Sequence, residues 1–503
     1  MLSKILKSAL LLSLTGVLFS CNFEEINTDP NNTTSIAPGA LLTYTQMHTI
    51  NGGNAKNIQV GTCMMIVQQT ATLNLDMPGD KYYQMDSYAN SMFVDTYSDL
   101  IKNWRELVVI ASSDAKYENT LGAAKIWGAY LFQRMTDLFG NVPYSEAGLG
   151  YYESIYRPKY DNQEDIYKGM IQDVKDGLKL LGEDKPAMDG DLFYEGNIAQ
   201  WKKFGGSLLV RLGMRLSEVA PDLAKETVQF AVQNGVMTEA GDMCRLIHNV
   251  DKDAFKNILS KRYELDGFVK DDAIKISKTF MDYLKSTNDP RIKSYCSLKD
   301  GNDDPAVQAG LPNGYDSNTI TEVGDAYIGK ENCSNFNTNT ILKLDAPTLF
   351  LLPSETKLLL AEATLRGWTP GDAASLFEEA VICSMKEQKI AYGVEIPQAE
   401  IDAYLAQDLF KKAASTEAKL EVLGQQYWVA TFMNGFESYA NWRRTGYPTL
   451  TPTHYAGSQS NGQIPRRLPY SVEEYTINKA NVEAAVRQQG ADEVTTRIWW
   501  DKK

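Results

Sequence analysis

The sequence predicts a mainly all-α protein of paired helices carrying long irregular loops and a few short strands. Three observations lead there. Apolar residues recur at three- and four-residue steps through most of the chain from about residue 38 onward. The helical stretches are often separated by short turns. One long segment, from about Ser286 to Asn339, lacks that period and is rich in Asn, Asp, Gly and Pro.

At the N-terminus, Lys4 and Lys7 form a short basic region, and a largely apolar run follows from Ala9 to Phe19. That run is about half of the roughly 20 residues needed to span a bilayer, and its flanks are those of a secretory leader. It closes on Leu18-Phe19-Ser20-Cys21, an aliphatic residue three before a cysteine with a small residue just before it, which is a lipobox. Residues 1–20 are therefore read as a lipoprotein signal peptide and Cys21 as the lipidated residue. Acyl chains on Cys21 would hold the chain on a membrane without a transmembrane helix. Residues 21–37 are polar, acidic and turn-rich, which suits a flexible lipidated tether. Residues 38–503 are read as one α-helical binding domain.

Within that domain, Leu121 to Phe139 places Ile126, Trp127, Tyr130, Leu131, Leu138 and Phe139 at helical steps. Gly122, Ala123, Ala124, Gly128 and Ala129 interleave, and small residues let two helices approach closely. Gly140-Asn141-Val142-Pro143 then stops the helix. Further helices are expected near 92–112, 163–181, 199–218, 222–234, 355–366, 371–389, 399–413 and 416–433. The clearest pair has Leu358-Leu359-Leu360-Ala361-Glu362-Ala363 ended by Arg366-Gly367, then Thr369 as N-cap and Pro370 in the first turn. Its second helix carries Ala373, Phe377 and Ala380. The Ala373-x3-Phe377 step is a fragment of the tetratricopeptide pattern, in which paired helices lean on their neighbours. The period is irregular, so the domain is a decorated helical-repeat fold. A structureless segment as long as 286–339 is uncommon in a compact domain and tends to be functional.

Composition narrows the function. The chain is 43% hydrophobic with a formal charge of −14, so it can bury a large core. Its acidity argues against nucleic acid, whose binding rests on clustered Lys and Arg, and against docking of the protein surface on anionic headgroups. Beyond Cys21 the cysteines Cys63, Cys244, Cys296, Cys333 and Cys383 are odd in number and far apart, so they imply no disulfide framework. They read as small buried hydrophobes. Catalytic and metal signatures are weak: His48, His248 and His454 form no pair at ligand spacing. Gly324-x4-Gly329-Lys330 imitates a phosphate-binding loop, but Glu331 stands where Ser or Thr would hold magnesium. Asp300-Gly301-Asn302-Asp303-Asp304 gathers oxygen ligands off the EF-hand spacing. A solvated acidic turn is the favoured reading there and a structural calcium ion the lesser one, so no cofactor is expected.

The C-terminal third carries Asn441-Trp442-Arg443-Arg444-Thr445-Gly446-Tyr447-Pro448, then Ile464-Pro465-Arg466-Arg467-Leu468-Pro469-Tyr470, with Glu474, Asn478 and Asn481 beyond. Together with Asn27-Thr28-Asp29-Pro30-Asn31, Phe139-Gly140-Asn141-Val142-Pro143-Tyr144 and the Trp499-Trp500-Asp501 ending, this order resembles the SusD/RagB family of outer-membrane lipoproteins. The family usually has proline after the tyrosine, where this chain has Ser471. The resemblance covers essentially the whole mature chain. It implies tetratricopeptide-like pairs, a lipid anchor at the outer membrane facing the cell exterior, and a SusC-like TonB-dependent transporter as partner. It also implies capture of oligosaccharides, or in some cases peptides, with no chemistry performed.

Sugar rings stack their CH faces on aromatics while their hydroxyls seek amides and charged groups, and loop-built concave surfaces supply both. Two segments fit: Tyr82, Tyr83 and Tyr88 before the helix carrying Trp104, and Tyr327 with Asn332 in the aperiodic stretch. Two other classes fit the sequence as well, an all-helical glycoside hydrolase with two carboxyls across a cleft and a structural envelope scaffold. Membrane attachment is expected to rest on Cys21. The Cys21→Ala protein should move to the soluble fraction, and its retention in the membrane pellet after a high-pH wash would refute the lipid anchor.

Overall fold

The computed structural model describes residues 36–51, 55–77, 79–265 and 274–502; the leader, Cys21 and nearly all of the tether lie outside the described residues. The periodicity is realised as α1 (Pro38–Asn51), α2 (Ala55–Ile58), α3 (Asp86–Asp95), α4 (Lys102–Ser112), α5 (Glu118–Phe139), α6 (Gln163–Leu180), α7 (Ile198–Arg215) and α8 (Pro221–Asn234). There follow α9 (Lys278–Ser286), α10 (Pro353–Leu365), α11 (Ala373–Tyr392), α12 (Gln398–Leu405), α13 (Thr416–Ala430), α14 (Gly435–Thr445) and α15 (Lys479–Gln489). Helices α3 and α4 run into one another through a π turn over Thr96–Ile101.

Four helical pairs stack: α5 with α6, α7 with α8, α10 with α11 and α13 with α14. Contacts of α6 with α7, α7 with α10 and α10 with α13 join the pairs into a row, the tetratricopeptide-like arrangement that the sequence predicts. Small residues set the spacing. A methyl group on Gly122 would lie 2.9 Å from the Gly177 carbonyl oxygen, and one on Gly128 would fall 2.3 Å from the Trp104 indole. The indole instead donates its Nε1–H to the Ala124 carbonyl at 2.8 Å, locking α4 onto α5.

Helix ends differ from the sequence reading in several places, and the helix expected near 92–112 starts already at Asp86, so Tyr88 lies on α3 and not in a loop. The cap of α11 is Asp372, whose carboxylate accepts from Ser375 N, not Thr369. Gly371, at φ +123°, adds a bend before the helix, and the Thr369 hydroxyl pairs with that of Thr364 at 2.8 Å. The stretch expected over 399–413 breaks after Leu405, because Asp408 turns left-handed at φ +55° before a short helix over Leu409–Lys412.

Among the described residues, three two-stranded antiparallel ladders pin the irregular segments: β1 (Thr70–Ala71) on β3 (Lys275–Ile276), β2 (Cys244–Leu246) on β6 (Thr348–Leu351), and β4 (Cys296–Ser297) on β5 (Asn335–Phe336). Thr70 faces Ile276 and Cys296 faces Phe336. Leu311 N–H donates to the Ile276 carbonyl and Ile276 N–H to that of Ser334, so the aperiodic stretch is stitched to the helices by backbone. The five cysteines from Cys63 to Cys383 are free and buried.

A buried ionic network crosses the row. Arg211 of α7 pairs with Glu355 of α10 at 2.6 Å, and Arg215 pairs with Glu437 of α14 at 2.7 Å and Asp137 of α5 at 3.4 Å. Arg444 of α14 grips Glu362 of α10 through two bonds of 2.7 and 2.6 Å. Burial opposes ionisation of Glu362, but Arg444 and then Arg366 outweigh it and hold the carboxyl down to about 2. Arg443 donates to the carbonyls of Asp137 at 2.5 Å and Arg466 at 2.9 Å and lies over the Trp500 ring. The Trp-Arg-Arg motif is therefore spent on holding the turn and tail onto the helices. Truncating one member leaves its partner as an unpaired buried charge, at about 3–5 kcal/mol. Arg211→Leu should lower the urea midpoint accordingly, and Arg211→Leu with Glu355→Leu should recover most of the loss. A double variant no better than the single one would contradict this assignment.

Candidate functional site

Three segments far apart in sequence meet at one loop-built face: residues 72–88, 311–333 and 449–463. The link is Asp80, whose side chain is fully buried together with that of Lys81. Lys81 Nζ donates to Asp80 Oδ1 at 2.9 Å and to the Thr72 carbonyl at 2.5 Å. The other Asp80 oxygen accepts from Gly314 N at 3.2 Å, and the Asp80 carbonyl accepts from Thr453 Oγ1 at 2.6 Å. A charge buried this deeply persists only when paired and hydrogen-bonded; here the carboxylate takes its partners from the first two loops, and Thr453 of the third bonds the Asp80 backbone.

Beneath the loops lies a small apolar cluster of Ala71, Leu73, Leu311, Ile320 and Cys333, against which Tyr315, Val323 and Tyr327 pack. Above it, half-exposed Tyr83 and Tyr455 meet edge to face with ring centroids 5.8 Å apart. The Tyr455 hydroxyl donates to Asp316 Oδ2 at 2.8 Å. That bond, helped by the N–H groups of Thr319 and Asn318, lowers the Asp316 carboxyl to about 2, so it stays ionised across the physiological range. Gln459 clamps the first loop: its N–H donates to the Tyr82 carbonyl at 2.7 Å, and its Oε1 accepts from Met85 N at 2.9 Å. Tyr82 and Gln84 sit at φ +53° and +43°, a left-handed strain that persists only where surroundings over-determine it.

The structure sorts the sequence candidates. Tyr83 and Tyr327 belong to segments of this face. Tyr82 is a correction: its left-handed backbone turns the ring inward, leaving it 0% exposed in the main core. Burial also raises its hydroxyl above the usual tyrosine range, and the ring is out of a ligand's reach. Tyr88 packs on the main core and donates to the Asp76 carbonyl at 2.8 Å. The Tyr327 hydroxyl accepts from Lys330 N, and exposed Asn332 donates its amide to the Ile328 carbonyl; both bonds shape the turn. The third loop with Tyr455 escaped the sequence reading. Its run Thr451-Pro452-Thr453-His454-Tyr455-Ala456-Gly457-Ser458 has the same aperiodic, turn-rich signature as 286–339 and could have been found by it.

The decoy motifs resolve into turns. Gly324 to Asn332 makes 3₁₀ turns around a left-handed Gly329, and no strand leads into it. Asp300, Asn302 and Asp304 each accept from the N–H two residues on. Among the described residues, no group of three or more His, Cys, Asp or Glu could hold a metal ion, and no helix is long and apolar enough to cross a membrane.

The chain matches, over residues 30–471, the SusD-like family model described as starch-binding associating with outer membrane. This protein belongs to the SusD-like family. Among solved structures it is similar to a chitin-binding protein at 32% identity and a TM-score of 0.81, covering 93% of this chain and 100% of that one. A SusD-like protein of Bacteroidetes aligns at 24% identity with a TM-score of 0.82, over 93% of this chain and 100% of that one. A SusD homologue from Bacteroides fragilis aligns at 24% and 0.76 over the same shares. No curated protein shows significant similarity.

Tyr83→Ala and Tyr455→Ala should each weaken oligosaccharide binding by roughly 5- to 30-fold, the factor that 1–2 kcal/mol represents, with the melting temperature nearly unchanged. Calorimetric titration with thermal melts checks this. Tyr82→Ala should instead lower the melting temperature, since it empties a core position.

Proposed function

We propose that this protein is a surface-exposed, lipid-anchored binding subunit of the outer membrane that captures oligosaccharides and delivers them to a SusC-like TonB-dependent transporter. The observation that carries this reading is the three-loop face, where half-exposed Tyr83 and Tyr455 lie beside exposed Gln84 and His454 over a locked base. Rings offer stacking area and the polar groups offer hydroxyl contacts, the combination by which saccharides are held. The 32% identity with a chitin-binding protein makes chito-oligosaccharides the first ligands to try.

Binding without turnover fits the placement of the carboxyls best suited to protonation. Burial pushes Glu387 up to about 7 and raises Glu355, Asp137 and Asp501. The first three are buried and bonded within the helical row, where Glu387 accepts from Ser354, Glu355 from Arg211 and Asp137 from Trp500, while buried Asp501 in the C-terminal tail is held by Arg466 and Arg497. A hydrolase needs its acid and base facing each other across a cleft that admits the sugar.

Detergent extraction and affinity capture of the native protein should recover a large outer-membrane barrel. The pure protein should bind chito-oligosaccharides and return them uncut after prolonged incubation. Shortened sugars would favour the hydrolase, and repeated recovery of the protein alone would favour the scaffold.

A further inference from the structure

A polar cavity opens where the entry to α6, the end of α15 and the C-terminal tail converge. It holds 590 Å³ and is lined by Asn162, Asp165, Gln488, Arg497, Trp499 and Lys502, among others, a volume within the range of small-molecule sites. It shares no residue with the three-loop face.

Its floor is a closed hydrogen-bonded layer. Asn141 N donates to Gln489 Oε1 at 2.7 Å and Asn141 Nδ2 to Gln488 Oε1 at 3.1 Å. Asn141 Oδ1 accepts from Gln163 N at 2.9 Å, and Gln489 Nε2 donates to the Phe139 carbonyl at 3.0 Å. On one wall Arg497 and buried Asp501 pair at 2.5 Å. The floor is thus set before a ligand arrives, so little ordering is left for binding to do.

The groups facing the cavity are of the sugar-binding kind. Of the eight tryptophans, Trp104, Trp127, Trp201, Trp428, Trp442 and Trp500 are buried, whereas Trp499 is half-exposed in this cavity and Trp368 is half-exposed elsewhere. Gln488 is exposed, with its Oε1 already oriented by Asn141. Asp165 and Lys502 contribute one charge of each sign, and Glu164 is paired with Lys168. An indole face beside planar amides and balanced charge suits a neutral sugar ring better than an anion or an apolar segment.

We infer that this C-terminal pocket is a second saccharide site, in which Trp499 stacks on a sugar ring and Gln488 and Asp165 bond its hydroxyls. The inference rests on the proposal that the chain binds oligosaccharides. Two sites on one chain let a long glycan engage both and raise its apparent affinity without new contacts.

The three loops of the first face contain no tryptophan, so indole emission separates the two sites. The detergent-solubilised full-length lipoprotein, and its variant with Tyr83→Ala and Tyr455→Ala, are titrated with chito-oligosaccharides and malto-oligosaccharides by emission and by calorimetry. A saturable emission change with either sugar, kept in the tyrosine variant and lost in Trp499→Phe, is the expected result. Trp499→Phe should hold its calorimetric affinity within about twofold, while Trp499→Ala and Gln488→Ala should weaken the pocket by roughly fivefold or more.

Calorimetric binding with no emission change would overturn the pocket and leave the loop face standing. An emission change that survives Trp499→Phe would overturn it too, by pointing to Trp368. So would a pocket silent to sugars in which a bound barrel shields Trp499 from acrylamide quenching, since that marks a protein contact. Emission kept in every tyrosine variant with no calorimetric loss would uphold the pocket and sink the loop face.

Discussion

The row of helical pairs depends on charges taken out of water. Arg211, Arg215 and Arg444 meet Asp137, Glu355, Glu362 and Glu437 at the meeting point of α5, α7, α10 and α14. Such pairs add little net stability over well-packed apolar residues, because desolvation offsets most of the attraction. Their effect is on alignment. A slip of α7 along α10 by one turn would separate Arg211 from Glu355 and strand both, an outcome far worse than a slip between leucines. Helix pairs that could otherwise slide on apolar ridges are thereby fixed in one register.

That fixed register gives the loops something to stand on. The three-loop face grows from segments flanking α2, α3, α9 and α14, and its own lock, Asp80 with Lys81, repeats the logic of the core on a smaller scale. In both places a buried charge takes its partners from distant parts of the chain. The strained backbone at Tyr82 and Gln84 is tolerated because Gln459 and Asp80 leave that loop no relaxed alternative. Rigid scaffolds carrying functional loops are common; here the loops are also tied to one another.

Much of this was legible in the sequence. The helices from Glu118 to Phe139 and from Pro353 to Leu365 announced themselves by period and by stop signals, and Gly122 and Gly128 as points of close approach. The ionic network was not read: Arg211 and Arg215 stand four apart in line with Lys203 and Ser207, the spacing of a narrow solvated stripe. Whether such a stripe faces water or a buried partner, and which carboxylate answers, depends on how the pairs stack, and one sequence does not carry that. The burial of Tyr82 escaped for a related reason. Two adjacent tyrosines look alike until a left-handed residue sends one inward. The pairing of loops 72–88 and 449–463 likewise depends on the fold, since Asp80 and Thr453 are 373 positions apart.

That last separation bears on how the chain matures. Asp80 reaches 234 positions to Gly314 and 373 to Thr453, so the three-loop face is non-local wherever one loop meets another. Contacts of such span close late, after the local helices that shorten the distance between them. A polypeptide that emerges in sequence order presents the first loop long before its third appears. Until then Asp80 and Lys81 lack a wall of their burial site. The three-loop face is therefore completed only as a terminal event in assembly, when its last loop closes over the first.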